Sequence, residues 1–210
     1  KTVEGKAGII ASGSEPRHLN VPGEKEFLGR GLSYCATCDG PLFNGKDVAI
    51  VGGGYAGFET ALFMTAYAKK IYIIEFCAEC GAGKDIKDKI ESIDKIEVIT
   101  SAQVKEIKGD GFVNKLEYID LKSGEEKSID VQGVFVQIGW QPATSFLNGL
   151  VGLNNRKEII VDFENFETSV PGLFAVGDVN SGKVKQIVVA CGQGARAAIS
   201  VYEYIKKQEI

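Results

Sequence analysis

Cys35-Ala36-Thr37-Cys38 places two thiols three residues apart, and Asp39-Gly40 follows at once. This spacing lets the two sulfurs close a small ring. At the start of a helix, backbone N–H groups lower one thiol's pKa and leave a nucleophilic thiolate, and exchange then runs through a mixed disulfide. Asp39, next to Cys38, is placed to protonate a leaving thiolate as general acid. Shortly after comes Gly52-Gly53-Gly54-Tyr55-Ala56-Gly57, behind an apolar run over 48–51 and ahead of a helix-like segment. In Gly52-x-Gly54-x-x-Gly57 the first glycine makes the tight turn, the second lets backbone approach a pyrophosphate, and the third lets helix and strand pack. The helix N-terminus, with Tyr55 and Ala56 at its head, offers free N–H groups to the phosphates. Glu75 closes the next apolar run, where a ligand for a ribose diol belongs. Its carboxylate accepts from both hydroxyls of NADH and repels the 2′-phosphate of NADPH. Phe76-Cys77-Ala78-Glu79 offers no arginine to offset that repulsion, so NADH is favoured. Together these residues name a chemistry, electrons from a nicotinamide delivered to a disulfide, which ordinarily needs a flavin between the two.

Other reactive residues carry weaker signals. Cys77-Ala78-Glu79-Cys80 is a second pair at the same spacing. Two such pairs suggest zinc, but the gap between them runs through a whole strand–helix–strand unit, longer than a ribbon or finger spacing. A disulfide, a redox switch and two unpaired thiols remain, the last being the plainest. Cys191 reads as a small buried residue of the final helix. His18, the only histidine, sits in a proline-flanked connection and reads as structural. Trp140 reads as core or interface, or as packing over a cofactor or hinge.

Three elements must position the main site: a strand over 48–51, a helix over 56–68 and a strand over 71–75, a βαβ unit that demands a parallel sheet. Residues 7–13 form a short apolar run stopped by glycine. Residues 84–95 are helix-like. From Glu97 to Ile129, three β-like runs separated by Gly109-Asp110-Gly111 and Ser123-Gly124 read as an antiparallel meander. Further strands are expected over 131–138, 159–161 and 173–176, Pro142 lies in a connection, and 186–207 is mostly helix. The 210 residues, 44% hydrophobic, suffice for one large or two small domains. Net charge is −4 with both signs interspersed, which argues against nucleic acid as a partner. No apolar run is long enough to span a membrane. Five cysteines, two in a redox spacing, favour a reducing cytoplasm over a stapled secreted fold. The chain begins at Lys1 and reads as a fragment or a trimmed chain.

The segment Gly29-Arg30-Gly31-Leu32-Ser33-Tyr34-Cys35-Ala36-Thr37-Cys38-Asp39-Gly40, the Gly52–Gly57 turn and Phe174-Ala175-Val176-Gly177-Asp178 together resemble the low-molecular-weight, bacterial type of thioredoxin reductase, across essentially the whole chain. The resemblance implies an α/β fold. A Rossmann-like three-layer nicotinamide domain with an antiparallel β-meander, residues 16–143, is inserted in an incomplete FAD/NAD(P)-binding domain, residues 1–15 and 144–210. Ala11-Ser12-Gly13 resembles the family's Ala-Thr-Gly strand end, Asp178 after Gly177 the acid that bonds the ribityl chain, and Lys185-Gln186-Ile187 the segment that touches the flavin ring. Ile138-Gly139 belongs to the implied nicotinamide site. The family assigns Cys38 as the flavin-facing sulfur, Cys35 as the attacking one and Asp39 as acid. It also implies a flavoprotein of cell redox homeostasis that is a homodimer when intact. The implied acceptor is a thioredoxin-like protein disulfide, and the two domains rotate about connections near Pro16 and Pro142.

Two departures matter. Where the family usually carries His-Arg-Arg, this chain has Glu75-Phe76-Cys77. With Phe135-Val136-Gln137-Ile138-Gly139, that looks more like the flavoprotein component of alkyl hydroperoxide reductase, an NADH enzyme that reduces a peroxiredoxin system. The family's first FAD segment, with its own glycine fingerprint, is also absent. FAD is then expected to bind weakly or not at all, with apolar surface left uncovered. A truncated nucleotide-binding module without turnover is the remaining alternative.

Overall fold

Short apolar runs bounded by glycine become the strands. In the computed structural model, which describes residues 2–209, β1 (Gly8–Ile10) and β2 (Ser14–Pro16) lead to β3 (Leu32–Ser33) and the four-residue α1 (Ala36–Asp39). Then come β4 (Asp47–Val51), α2 (Tyr55–Met64), β5 (Lys70–Ile74), α3 (Lys84–Glu91) and β6 (Ile96–Ile99). A meander follows in β7 (Ala102–Asp110), β8 (Phe112–Asp120) and β9 (Glu126–Asp130), before β10 (Gly133–Val136). β11 (Trp140–Pro142), β12 (Leu173–Ala175) and α4 (Ile187–Gln208) complete the chain. Contacts divide it into two units, Pro16–Gly139 and a discontinuous unit of Lys1–Glu15 with Trp140–Ile210.

The first unit is a five-stranded sheet in the order β3-β10-β4-β5-β6, every pair parallel. Successive side chains of β4 point to opposite faces. Val48 and Ile50 pack with Phe58, Ala61 and Met64 of α2 and Ile86 and Ile90 of α3. Ala49 and Val51 pack with Val104, Ile107 and Leu116 of the meander. With a layer on each face, β4 needs no polar alternation, which is why 48–51 is continuously apolar. Helices, parallel sheet and antiparallel sheet make three layers.

In the discontinuous unit, β1 pairs parallel with β12. Ile10, Ile159, Phe166, Ala175 and Val179 share its core with Ala197 of α4. No described helix is long and apolar enough to cross a membrane.

Several expected elements differ. Ile96–Ile99 is the fifth parallel strand rather than the start of the meander; the break comes at Ser101, whose φ of 54° turns the chain without a glycine. The helix expected over 56–68 ends at Met64, because Lys95 Nζ donates to the carbonyls of Thr65 and Ala68 and holds the chain in turns there. Residues 159–161 are not a strand: Ile159 makes only single bridges, to Leu153 and Asn180. Pro142 lies in β11, which pairs with β2, rather than in a loop.

Candidate functional site

Four parallel strands of the first unit end at the same edge of the sheet. β3 runs into Cys35, β4 into Gly52, β5 into Glu75, and β10 into Ile138-Gly139. In an open α/β sheet, ligands bind beyond these carboxyl ends, where the strand order reverses. That point lies at β4, which has β5 on one side and β10 on the other.

The turn after β4 has the geometry a dinucleotide needs. Gly52 has φ 120°, a conformation that side chains rarely adopt, and Gly52 N donates to Ile74 O. A Cβ at Gly57 would sit 1.8 Å from Gly52 O, so only glycine allows α2 to start so close to the strand. Gly54 caps α2 in extended backbone, with nothing within 4 Å of where its Cβ would lie. The N-terminus of α2 therefore faces open space, with Tyr55 and Ala56 exposed at its head. Such an end favours an anion.

Glu75 stands across this turn. Its Oε2 accepts from Gly53 N at 2.5 Å and its Oε1 from Cys77 N at 2.8 Å. A cleft of about 420 Å³ beside it is lined by His18, Asn20, Gly52, Glu75, Gln103 and Ile138, among others. A carboxylate at the rim, glycine backbone and an apolar floor fit an adenosine ribose.

The dithiol is closed. Cys35 and Cys38 form a disulfide with their Cα atoms 5.3 Å apart. Cys35 is the N-cap of α1, and Cys38 N points at its Sγ from 3.2 Å, so a thiolate at Cys35 would receive that N–H. Cys38 is exposed and Cys35 half-buried. Asp39 ends α1 with Oδ2 accepting from Ser33 Oγ at 2.6 Å, and the same Ser33 oxygen accepts from Cys35 N at 3.0 Å. Ser33, 4% exposed, thus ties the acid and the first cysteine into one frame. Sequence reasoning assigned it no part. The available signal was a hydroxyl residue at a buried strand end two positions before the dithiol.

A second frame stands behind the first. Buried Glu24 accepts from Leu19 N, Asn20 N and Tyr34 OH at 2.7–2.8 Å. His18 Nδ1 lies 2.8 Å from the same phenol. Burial, then the Glu24 carboxylate, push the Tyr34 hydroxyl well above its ordinary pKa, so it remains a donor. Tyr34 O in turn accepts from Gln137 Nε2, linking the dithiol strand to the end of β10.

The other anticipated residues lie in the discontinuous unit. Gly13 and Gly177 both have positive φ, and Asp178 lies in a 3-10 turn, Gly177–Val179. Lys185 donates to the carbonyls of Asp178 and Asn180 and pairs with Glu158 Oε1 at 3.1 Å, so its ammonium clamps that turn. Gln186 caps α4, and Ile187 is 85% exposed.

Cys77 and Cys80 are free thiols, and no group of three or more metal-ligating side chains occurs among the described residues. Cys191 is exposed, not buried: it lies in the first turns of α4 beside Ile187 and Val188, which are also exposed.

The family model described as pyridine nucleotide-disulphide oxidoreductase matches residues 1–194. An NADH dehydrogenase of Bacillus subtilis (strain 168) is 44% identical over 203 residues, 97% of this chain and 40% of that protein. An alkyl hydroperoxide reductase component of Staphylococcus aureus (strain NCTC 8325 / PS 47) is 42% identical over the same shares. Thioredoxin reductase from Streptococcus pyogenes MGAS5005 superposes with a TM-score of 0.91 at 37% identity, over 96% of this chain and 66% of that one. Thioredoxin reductase from T. acidophilum gives 0.68 at 44% identity, over 94% and 65%. The chain thus spans 40% of the length of these curated relatives. Turn, disulfide and the match over residues 1–194 agree: the chain belongs to the pyridine nucleotide-disulphide oxidoreductase family.

Proposed function

We propose that this chain works as part of a flavin-dependent thiol–disulfide oxidoreductase. It carries electrons from NADH to the Cys35–Cys38 disulfide and on to a protein disulfide of the thioredoxin or peroxiredoxin type. One observation carries the reading. A disulfide at a helix start, with Asp39 beside it, shares a compact unit and a sheet edge with a glycine turn backed by Glu75. When bound, the nicotinamide and flavin supply a hydride and a relay for its electron pair, which no protein side chain provides.

The chain's own residues do the rest. Gly52, Gly54 and Gly57 let backbone meet the pyrophosphate, and Glu75 holds the adenosine ribose as NADH rather than NADPH. Ile138-Gly139, at the end of β10, borders the nicotinamide. Gly13, Gly177, Asp178 and the segment Lys185-Gln186-Ile187 belong to the FAD site, with Lys185 holding the Asp178 turn. Cys38 takes the incoming electrons, Cys35 attacks the acceptor disulfide, and Asp39 holds the proton that moves to and from the thiols. Because the disulfide and the glycine turn lie on one unit, each is presented to the flavin in turn. A protein acceptor is supported by a groove of about 270 Å³ beside the dithiol, lined by Ser33, Asp39, Leu42 and Phe112, the last two 70% and 68% exposed. The peroxiredoxin arm is supported by Glu75 and by the printed name of the Staphylococcus relative.

The test adds FAD in large excess to the purified chain, to offset weak binding, and titrates it anaerobically with NADH. The flavin band bleaches and two new thiols map to Cys35 and Cys38. Bleaching without new thiols refutes the disulfide as acceptor, and tighter binding of NADPH than NADH refutes the reading of Glu75. Thioredoxin and peroxiredoxin-system acceptors, compared on the reduced protein, separate the two arms.

A further inference from the structure

The loop after β5 carries a second dithiol wrapped around Glu75, and the proposed function leaves it unused. Cys77 N donates to Glu75 Oε1, so the Cys77 thiol sits on the residue that closes this bond. Cys80 approaches from the other side: a Cβ placed on Gly53 would lie 2.8 Å from Cys80 Sγ and 2.8 Å from Glu75 Oε2. Cys80 Sγ therefore packs on the glycine turn, and Glu75 is held between that turn and the loop carrying the two thiols.

The ends of this loop are tied and its middle is not. Cys77 O accepts from Ser101 N, and Ala82 N donates to Gly53 O. Between them, among the described residues, the main chain of 78–81 makes no hydrogen bond that closure would break. The spacing equals that of Cys35 and Cys38, which do close. Cys77 is exposed and reachable by a small oxidant.

We propose that Cys77 and Cys80 form a regulatory dithiol whose oxidation by a small-molecule disulfide distorts the Glu75 site and weakens NADH binding. The inference rests on the reading of the glycine turn and Glu75 as the nucleotide site. The Cys77 thiolate attacks one sulfur of the oxidant, forming a mixed disulfide and expelling one thiol. Cys80 then attacks Cys77 Sγ and expels the second. The two protein thiols become one disulfide, the oxidant is reduced to two thiols, and their two protons pass to those products. Closure needs the sulfurs at about 2.05 Å. Either Cys80 leaves Gly53 or Cys77 swings past Glu75, and in both cases the packing that holds the Glu75 carboxylate changes. The Glu75 hydrogen bond pushes the Cys77 thiol up, and burial, then Glu75, push the Cys80 thiol up. Oxidation is accordingly slow at neutral pH and faster as pH rises.

The experiment uses the full chain with Cys191→Ser, titrated with NADH before and after incubation with glutathione disulfide, with disulfides mapped by peptide mass. The reduced chain binds NADH; the oxidised chain carries a Cys77–Cys80 bond and binds at least fivefold more weakly. The further variant Cys77→Ser/Cys80→Ser, which can form neither the adduct nor the bond, has the same affinity before and after treatment. A mapped Cys77–Cys80 bond with unchanged affinity overturns the inference, as does oxidation that yields only mixed disulfides with glutathione. A reduced chain that binds no NADH overturns the nucleotide-site reading itself.

Discussion

Replacing Gly57 and Gly54 by alanine, one at a time, separates packing from ligand approach at the same turn. At Gly57 the new methyl meets Gly52 O at 1.8 Å and Gly52 C at 3.0 Å, whereas ordinary contact begins near 3.4 Å. The start of α2 must retreat by about 1.5 Å, since the obstacle is backbone. Phe58, Ala61 and Met64 ride on that helix at 2%, 0% and 0% exposure, so the retreat opens voids in a close-packed layer. Core disruption of this kind costs about 2–4 kcal/mol. On the proposed function the displaced N–H groups would also lose phosphate hydrogen bonds of about 1.5–3 kcal/mol each, and losing even one weakens NADH about 10- to 150-fold. At Gly54 the backbone is extended, φ −81° and ψ −177°, and nothing lies within 4 Å of the new methyl. Gly54→Ala therefore keeps its stability within about 1 kcal/mol, yet its methyl fills the space reserved for the pyrophosphate and NADH affinity falls at least about tenfold. Urea titration of the far-UV signal reads the first quantity, and fluorescence titration with NADH reads the second. Native affinity in Gly54→Ala refutes a dinucleotide at this turn, and native stability in Gly57→Ala refutes the packing argument.

Glu75→Gln lowers NADH affinity by about 5–30-fold, the equivalent of about 1–2 kcal/mol for a charged acceptor. NADPH loses less, so the ratio of the two dissociation constants narrows; an unchanged ratio excludes Glu75 as the discriminating group. Lys185→Met takes the cation from Glu158, 9% exposed, leaving it only the Asn154 amide, and frees the Asp178 and Asn180 carbonyls. It costs about 2–3 kcal/mol in denaturant titration, and an unchanged midpoint contradicts the clamp. Lys127, with Lys122 N assisting, holds Asp120 down to about 2 from an ordinary 3.8. The folded-state pKa is depressed, so this pair's stabilisation is present above about pH 4 and is lost as pH falls to about 2. The melting-temperature gap between the wild type and Asp120→Asn should close over that window, and a constant gap contradicts the assignment.

The central βαβ unit was legible because its constraints are local. A strand covered on both faces has a continuous apolar run, and the approach of α2 admits only glycine at Gly57. Ile96–Ile99 was not legible, since an alternating run reads the same at the edge of a parallel sheet as in a meander. The turn that separates the two is made by Ser101 at φ 54°, where residue type gives no notice. Residues 159–161 have the composition of a strand, but pairing decides, and Ile159 finds only single bridges. In the site, the cysteines, glycines and Glu75 announce themselves by spacing. Ser33 does not, because its partners Asp39 and Cys35 meet it only once β3 and α1 have folded against each other. Cys191 misled for the converse reason. An apolar helix such as α4 reads as buried, yet Ile187, Val188, Ile199 and Tyr202 are all exposed on it.

The sheet order explains how one unit brings the dithiol and the glycine turn to one edge. β3, β10, β4 and β5 are neighbours and parallel, so the dithiol, Ile138-Gly139, the glycine turn and Glu75 leave the sheet at one edge in that spatial order. Strands lie about 4.8 Å apart, so β3 and β5 are about 14 Å from each other across that edge. On the proposed function, a dinucleotide with its ribose on Glu75 and its pyrophosphate on the turn after β4 would extend over β10, toward the strand that carries Cys35. The end of β10 and the disulfide lie at the same edge of the unit, on separate residues. The side-chain rung between them is Gln137 Nε2 to Tyr34 O. A parallel sheet makes this arrangement unavoidable: antiparallel neighbours would send alternate loops to opposite ends, and the dithiol and the glycine turn could not both open at one edge of the sheet.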